Sequence, residues 1–407
     1  MSASVAAPPQ VVDRSAHRTR WVSAWAASPQ PVWSTDFIFP ADLPSDLTGM
    51  TVRQVLRAGY GGRRVRLSLS NTYGRTPVVL AGVHIAPSQG GARICASRDA
   101  VVRFGGSPST ILPPRATVTS DPVDLPVTTG DDLAVSIHFV DAPRIESFHW
   151  DGRRSAYLLH GDQLATATPI VASTTERRLF VSALLVEALD VRASVVILGD
   201  SITDGAGASL DAETRWPDFL AARAAPQGLA VINAGISGAQ LLGDRMGANA
   251  LARFDADVLA QPEVRAVIIV LGINDIAWPG TPLAPDAPQM TFERLTTGYR
   301  ALAARARAAN LQVIAGTLSP FGGALPGTPM AESYYSREKD ALRRRINAWL
   351  RTTEAFDRVI DFDRLLEDPE APGRLRPRFD SGDHLHPGDE GHRAMADAVD
   401  LDALFPR

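Results

Sequence analysis

Residues 195–205 read Val-Val-Ile-Leu-Gly-Asp-Ser-Ile-Thr-Asp-Gly, and this stretch decides the fold prediction. Its four leading aliphatic residues are too few and too branched for a helix, so they predict a buried strand. The strand ends abruptly in Gly-Asp-Ser, which places the hydroxyl of Ser201 at the carboxyl end of a strand. Open α/β sheets bind their ligands at that edge. Taken alone, Ser201 could equally be the N-cap of a following helix, because serine is favoured there.

The rest of the C-terminal half, residues 191–407, alternates short apolar runs with longer amphipathic ones. Such alternation is typical of βαβ units and of a parallel sheet. The predicted strands are 195–198, 229–233, 264–271, 312–316 and 359–361, and the predicted helices are 216–225, 248–259, 291–309, 335–352 and 387–399. Five strands joined in this way predict a flavodoxin-like, doubly wound parallel sheet of the α/β class.

Residues 21–190 have a different sequence pattern: apolar and polar residues alternate, and turn residues recur about every ten positions. This pattern predicts an antiparallel, jelly-roll-like β-sandwich. The predicted strands are 51–57, 64–70, 78–85, 100–104, 116–120, 132–140 and 179–187. Residues 1–20 are expected to be a disordered tail, because Ser2–Pro9 consists of small residues and prolines. These residues contain no apolar segment of a secretory signal, so the chain as written is expected to be cytoplasmic, or secreted if its N-terminus is processed or replaced.

The composition excludes several classes of function. The formal net charge of −4 over 407 residues provides no basic surface of the kind that nucleic acids bind. No run approaches the roughly 18 apolar residues that a membrane-spanning helix needs. The single cysteine, Cys95, excludes an internal disulfide and a cysteine-cluster metal site. The oligomeric state cannot be read from these features.

Residues able to catalyse acyl transfer follow the predicted strands. Ser201 follows the first strand, Gly235 the second, Asn274 the third, and Asp383 and His386 come after the last. A serine can act as the nucleophile, a histidine as its base and an aspartate as the group that orients the imidazole. The backbone N–H groups of Ser201 and Gly235, with the Asn274 side chain, are predicted to bind the developing oxyanion.

These blocks resemble, in order, the four blocks of the SGNH (GDSL-type) hydrolases. The blocks are Gly199-Asp200-Ser201, Gly235, Gly272-x-Asn274-Asp275 and Asp383-x-x-His386. The first block continues with isoleucine where the family often has leucine, which leaves the nucleophile in place. The segment Trp21–Pro29 is also similar to the leader of bacterial SGNH proteins with an N-terminal β domain. The resemblance implies hydrolysis of esters, thioesters or carbohydrate O-acyl groups without a cofactor.

Several of these residues have competing interpretations. Asp383, His384 and His386, with His392 nearby, could hold a metal, but no further histidine or cysteine at a strand edge completes a ligand set. His384 is therefore interpreted as structural or pocket-lining, and His392 as facing solvent or bonded to a loop, and no metal is expected.

The acidic residues beside the site and the asparagine also have alternatives. Asp200 could be the triad acid, but Asp383 is preferred; Asp200 and Asp275 are predicted to accept hydrogen bonds that hold the oxyanion loops. Asn274 could instead simply form a turn after its strand.

The substrate pocket is the least defined part of the prediction. Trp278, Phe321 and Leu325 follow two of the strands and could form the walls of an acyl pocket, or could pack their own loops. Residues 146–150 of the β region could reach over the site. The expected function is a serine esterase acting on short-chain acyl or acetyl esters, including esters of a carbohydrate. An acyltransferase with the same acyl-enzyme and a non-catalytic glycan-binding protein are the alternatives.

Overall fold

The computed structural model describes residues 19–142 and 144–404. The predicted tail, residues 1–20, therefore lies outside the described residues apart from its last two. Before residue 190 the described chain is built from strands, with one 3₁₀ turn at Ala96–Arg98. These strands are β1 (Arg20–Ala26), β2 (Gln30–Pro31), β3 (Met50–Arg57), β4 (Val65–Ser70), β5 (Val78–Pro87), β6 (Ala100–Val102), β7 (Thr110–Leu112), β8 (Thr117–Thr119), β9 (Asp132–Asp141), β10 (Ser147–His149), β11 (Ala156–His160), β12 (Ser173–Thr175), β13 (Arg178–Leu179) and β14 (Val181–Ala188).

All pairing in this region is antiparallel, as predicted. One sheet has the order β1-β14-β4-β8, a second the order β12-β11-β3-β9-β5-β6 with β7 beside β5, and a small third sheet the order β13-β10-β2. Leu67 and Leu184 of the first sheet lie in the same apolar core as Val52 and Ile137 of the second. The two large sheets therefore share one core, as a sandwich does. A jelly-roll order of connections stays a prediction.

Strands β1, β2, β7, β10, β11 and β12 were not predicted, and two of the departures from the prediction have visible physical reasons. The predicted strand 179–187 is divided at Phe180, whose positive φ of 64° interrupts the extended backbone. Strand β1 was not predicted, because residues 22–25 are buried in succession and leave no alternation of apolar and polar positions.

The C-terminal half contains the predicted parallel sheet. Its strands are β15 (Ala193–Gly199), β16 (Leu229–Gly235), β17 (Val264–Val270), β18 (Gln312–Gly316) and β19 (Arg358–Ile360), in the order β16-β15-β17-β18-β19. The helices are α1 (Ser201–Asp204), α2 (Trp216–Ala224), α3 (Ala250–Phe254), α4 (Ile273–Ala277), α5 (Phe292–Ala308), α6 (Arg337–Thr352), α7 (Phe362–Leu366), α8 (Asp389–Asp397) and α9 (Leu401–Leu404). A 3₁₀ turn follows α2 at Ala225–Gln227, and a π-helical turn follows α3 at Asp255–Leu259.

Helices cover this sheet on both faces, which confirms the doubly wound prediction. Val196 and Leu198 of β15 point to one face and pack against α3, α5 and α6, whereas Val195 and Ile197 point to the other and pack against α2, α7 and α8. Successive strand residues point to opposite faces of the sheet. Because both faces are buried here, every position of the strand is apolar, and its sequence is an unbroken apolar run. Across the described ranges, no helix is both long and apolar enough to cross a bilayer.

The antiparallel region packs against β16, the edge strand of the parallel sheet. Ala230 of β16 belongs to the apolar core of the sandwich, and Gly59 lies against Ala221 of α2 and the Val231 carbonyl. Loops of the antiparallel region are thereby brought to the end of β16, where the polar residues predicted for the site are found.

Candidate active site

Ser201 lies where the strand–turn prediction placed it, directly after β15. The Asp200 carboxylate caps α1 by accepting the Ile202 N–H at 3.1 Å, and Ser201 is the first residue of that helix. Its N–H therefore has no acceptor within the helix and bonds to no other described residue. Gly199 is required by this tight turn, because a Cβ there would lie 2.1 Å from Thr203 Oγ1.

His386 and Asp383 come to Ser201 from a loop close to the C-terminus. The distance from His386 Nε2 to Ser201 Oγ is 2.8 Å, and that from His386 Nδ1 to Asp383 Oδ2 is 2.6 Å. Asp383 Oδ1 also accepts the N–H groups of Leu385 and His386. Burial alone would raise the pKa of Asp383, but these hydrogen bonds and the charge of His386 hold that pKa well below its ordinary value.

Asn274 is held in one orientation beside the same strand edge. Its Oδ1 accepts the Tyr334 hydroxyl at 2.9 Å, and its Nδ2 donates one N–H to the Ala239 carbonyl at 3.0 Å. Burial raises the pKa of Tyr334 well above its ordinary value, so the phenol stays a donor. The second Nδ2 hydrogen of Asn274 bonds to no other described residue, as the predicted oxyanion role requires. Sequence patterns did not indicate Tyr334, which precedes a helix without any motif of its own.

Asp275 braces the loop that follows β16. Its carboxylate accepts the N–H groups of Leu241 and Leu242 at 2.7 and 2.9 Å. Burial raises the pKa of Asp275 to about 6, partly opposed by those N–H groups. These two contacts are consistent with a bracing role for Asp275, which stays a prediction.

The predicted oxyanion donor Gly235 does not have a free N–H. Gly235 ends β16, and its N–H donates to Asn233 Oδ1 at 2.8 Å. The glycine three residues later, Gly238, has a positive φ of 78°, and its N–H bonds to no other described residue. Gly238 directly precedes Ala239, whose carbonyl holds the Asn274 amide. Gly238 therefore replaces Gly235 as the candidate donor.

The predicted role of Asp200 as a brace for the oxyanion loops is also corrected. Its carboxylate caps α1 and makes no hydrogen bond to the loop after β16 within the described residues. The acceptor for that loop is Asp204, whose Oδ2 accepts the Ser237 N–H at 2.7 Å. Proximity to Ser201 in the sequence could not distinguish these two aspartates.

Replacing Asp200 with asparagine is expected to raise the free energy of unfolding at pH 8 by a few kcal/mol, about 1.4 kcal/mol for each pH unit of pKa difference. Burial raises the pKa of Asp200 to about 7. The unfolded carboxyl ionises near pH 3.9, so stability falls as pH rises between these values. Asparagine retains an oxygen for the Ile202 N–H. Urea unfolding of wild type and Asp200→Asn at pH 4 and pH 8 measures the difference in the free energy of unfolding. An equal increase at both pH values contradicts the prediction.

The residues expected to form an acyl pocket are mostly buried. Trp278 is 2% exposed and Phe321 is 0% exposed, and both pack in an apolar cluster with Ile273 and Leu385. Leu325 is partly buried against this cluster. In this conformation Trp278 and Phe321 pack their own loops, which was the alternative interpretation, and Phe321 offers no surface to a substrate.

Aromatic residues of the antiparallel region complete this apolar cluster. Trp33 and Trp150, neither fully buried, pack against it and against each other, with ring centroids 5.9 Å apart. The Trp33 Nε1–H donates to the Phe39 carbonyl at 2.7 Å. Sequence reasoning singled out the segment containing Trp150 but not Trp33.

His384 in the same loop and His392 on α8 both have protein partners. His384 Nδ1 pairs with Asp380, and His392, fully buried on α8, faces the Ala206 carbonyl at 3.3 Å. Burial lowers the pKa of His392 to about 4. Among the described residues no group of three or more histidine, cysteine, aspartate or glutamate side chains is arranged to hold a metal ion.

Comparison with known proteins points to one family. The profile of the family described as GDSL-like Lipase/Acylhydrolase matches residues 197–394. Similar solved structures include a GDSL-like lipase from Bacteroides thetaiotaomicron (22% identity, 50% of this chain and 84% of that chain covered, TM-score 0.37). Another is an aryl esterase from M. smegmatis (17% identity, 51% of this chain and 95% of that chain covered, TM-score 0.40). A third is a mutant acetyl-xylooligosaccharide esterase from Geobacillus stearmophilus (23% identity, 51% of this chain and 92% of that chain covered, TM-score 0.37). Likenesses at this level carry no argument about substrate. No curated protein matches the chain.

Proposed function

Residues 197–394 of this chain belong to the GDSL-like lipase/acylhydrolase family, a family of carboxylic ester hydrolases, and from this premise we propose that the protein is a serine esterase that works through an acyl-enzyme. One observation carries the proposal: the continuous chain of hydrogen bonds from Ser201 Oγ through His386 to Asp383. A nucleophile, its base and the group that orients the base lie within hydrogen-bond reach, as acyl transfer requires.

The proposed reaction has two halves. Ser201 Oγ attacks the ester carbonyl carbon while its proton passes to His386 Nε2, and the imidazolium formed is stabilised by Asp383. The N–H groups of Ser201 and Gly238, with one N–H of Asn274, stabilise the oxyanion. Collapse breaks the bond to the alcohol, which leaves with the proton from His386. Water then attacks the acyl carbon and gives a proton to His386. The bond between Ser201 Oγ and the acyl carbon breaks, the carboxylic acid leaves, and His386 returns its proton to Oγ.

Substitution of Asn274 by alanine is expected to lower kcat by about 10²- to 10³-fold with a small change in KM, because the bond to oxygen strengthens only in the transition state. Tyr334→Phe is the matched control, since it removes the hydroxyl that orients Asn274 but keeps the amide donor. Its loss of kcat should be smaller. Steady-state kinetics on a p-nitrophenyl ester measure both. A raised KM with unchanged kcat for Asn274→Ala would assign Asn274 to substrate binding instead.

For the substrate, we propose esters of short acyl groups, with acetylated carbohydrate as the candidate natural class. The apolar cluster that contains Ile273 and Leu385, the neighbours of Asn274 and His386, consists of side chains that are buried against one another. Apolar side chains already buried in this way leave little surface for a long acyl chain, which favours a short one. The incompletely buried rings of Trp33 and Trp150 lie against this cluster, and we propose that a sugar ring packs on their exposed parts; the Arg177 guanidinium, 4.8 Å from the centroid of the Trp150 ring, covers one face of that ring.

The test compares p-nitrophenyl acetate, butyrate and octanoate with an acetylated oligosaccharide, using wild-type protein and Ser201→Ala. Activity that declines with chain length and requires Ser201 supports the proposal. A fluorophosphonate should add its mass to Ser201 and leave Ser201→Ala unlabelled. Acyl transfer to an added sugar in excess of hydrolysis would identify an acyltransferase. Wild-type protein with neither activity nor label would contradict the proposal.

A further inference from the structure

A histidine of the antiparallel region is buried against the helix that begins with the nucleophile. His149 ends β10 and is 4% exposed. The distance from its Nε2 to Asp204 Oδ1 is 2.9 Å, and that from its Nδ1 to the Ser28 carbonyl is 3.0 Å. Asp204 is the last residue of α1, the short helix that starts at Ser201. His149 thus joins the antiparallel region directly to the nucleophile-bearing turn.

The same carboxylate also holds the loop with the candidate oxyanion donor. Asp204 Oδ2 accepts the N–H of Ser237, the residue before Gly238, at 2.7 Å. The Ser237 hydroxyl donates to Asp151 Oδ2, two residues beyond His149, at 3.1 Å. The Ser237 main chain is therefore held by Asp204, whose carboxylate His149 orients. The Ser237 side chain is held by Asp151, on the segment that follows β10.

We propose that His149 is a positioning residue for catalysis: by orienting Asp204 it holds the Ser237 N–H, and so fixes the Gly238 N–H relative to Ser201. This inference rests on the proposed esterase function. Oxyanion donors act only if they are held close to the position where charge develops, and displacements of about 1 Å lose much of the effect. The antiparallel region would then be part of the catalytic machinery rather than a separate binding module.

The hydrogen bonds define the protonation state that positioning needs. A carbonyl and a carboxylate are both acceptors, so both ring nitrogens of His149 must donate, and the ring is an imidazolium. Burial lowers the pKa of His149, but the charge and hydrogen bond of Asp204 outweigh it and the net pKa is raised. Both hydrogen bonds of His149, to Asp204 and to Ser28, are therefore formed below the ordinary histidine pKa of about 6.5. One of the two is lost as pH rises through the higher pKa of the folded protein.

Other charged groups also face this ring. Asp151, on the segment after β10, adds a second negative charge when it is ionised, although burial and the charge of Asp204 raise its own pKa. Arg178 of β13 is the strand partner of His149, and Arg178 and Arg215 line one small cavity with His149 and Asp204. The arginines oppose protonation and the two carboxylates favour it. A neutral ring donates to Ser28 or to Asp204 but not to both, so the contact to Asp204 is lost in those molecules whose ring keeps its proton on Nδ1.

The experiment compares His149→Phe, which removes both donors, with His149→Gln, which keeps one N–H able to reach Asp204. We expect His149→Phe to lower kcat by about 10- to 100-fold, the range found when a residue that orients a metal ligand is removed, with KM nearly unchanged. His149→Gln should recover most of that loss. Wild-type kcat should decline at alkaline pH, and His149→Gln should lack this decline.

A matched control separates positioning from general stability. Ser23→Ala removes a partly buried hydrogen bond between β1 and Gln261, 2.8 Å long, at the far end of the sheet. It should lower the melting temperature without changing kcat. Folded His149→Phe with wild-type kcat, or an alkaline decline that persists unchanged in His149→Gln, overturns the proposal. If His149→Phe does not fold, the pH profile of His149→Gln decides. Hydrolysis that survives Ser201→Ala would instead reject the esterase site itself.

Discussion

Replacement of Ser201 by alanine is expected to lower kcat for a p-nitrophenyl ester by about 10⁴- to 10⁶-fold, the range seen when a triad nucleophile is removed. The reason is geometric: Ser201 Oγ lies 2.8 Å from the only nitrogen of His386 that does not face Asp383. No acyl-enzyme forms without this oxygen. The residual rate should come from the oxyanion donors acting on direct attack by water.

The matched control for this prediction is Ser209→Ala. Ser209 is an exposed serine in the turn after α1, and its hydroxyl donates to Asp389 rather than to a histidine. This variant should keep wild-type kcat and remain labelled by a fluorophosphonate. If Ser201→Ala retains activity within about tenfold of wild type, below any loss known for a triad serine, hydrolysis occurs elsewhere on the protein.

Substitution of Asp383 by asparagine is expected to lower kcat by about 10⁴-fold while leaving the fold intact. Asparagine keeps an oxygen for the Leu385 and His386 N–H groups but turns its NH₂ toward His386 Nδ1. The imidazole must then carry its proton on Nε2, where it faces Ser201 Oγ and cannot accept the hydroxyl proton. The loss should appear in kcat, and near-ultraviolet circular dichroism should remain that of wild type.

A second aspartate–histidine pair in the same loop provides the control. Asp380 pairs with His384 and also accepts the Gly382 and His384 N–H groups. Asp380→Asn therefore perturbs the loop in a similar way without changing the tautomer of His386. It should keep most of the wild-type kcat. Equal losses in Asp380→Asn and Asp383→Asn would mean that loop order, rather than the tautomer, limits the reaction.

Residue order along the chain was sufficient to predict the sheet and the triad candidates. Short aliphatic runs that end in Gly-Asp-Ser or Gly-x-Asn-Asp mark buried parallel strands and the points where they stop. Carboxyl ends of parallel strands share one edge, so residues as distant as Ser201 and His386, 185 positions apart, could be expected to meet. The spacing of three between Asp383 and His386 further predicted that one carboxylate could orient the ring.

Which groups are available at that edge was decided by tertiary contacts. Gly235 and Gly238 are equivalent as sequence, yet the first donates to Asn233 and the second has an N–H that bonds to no described residue. Likewise, the sequence predicts Phe321 as a wall of the acyl pocket, but its side chain is completely buried. Periodicity reports which face of an element is buried, but it contains no information on loop dihedrals or on which polar group already has a partner.

By itself, the sequence determined the two kinds of sheet, the strand ends and the identity of the nucleophile candidate, because these depend on local patterning. The tertiary structure alone decided that Asp204, rather than Asp200, holds the loop, and that His149 reaches it from 55 residues upstream. Such contacts depend on how the antiparallel region packs on the edge strand β16. That packing is set by shape and burial across the whole chain, which no short stretch of residues encodes.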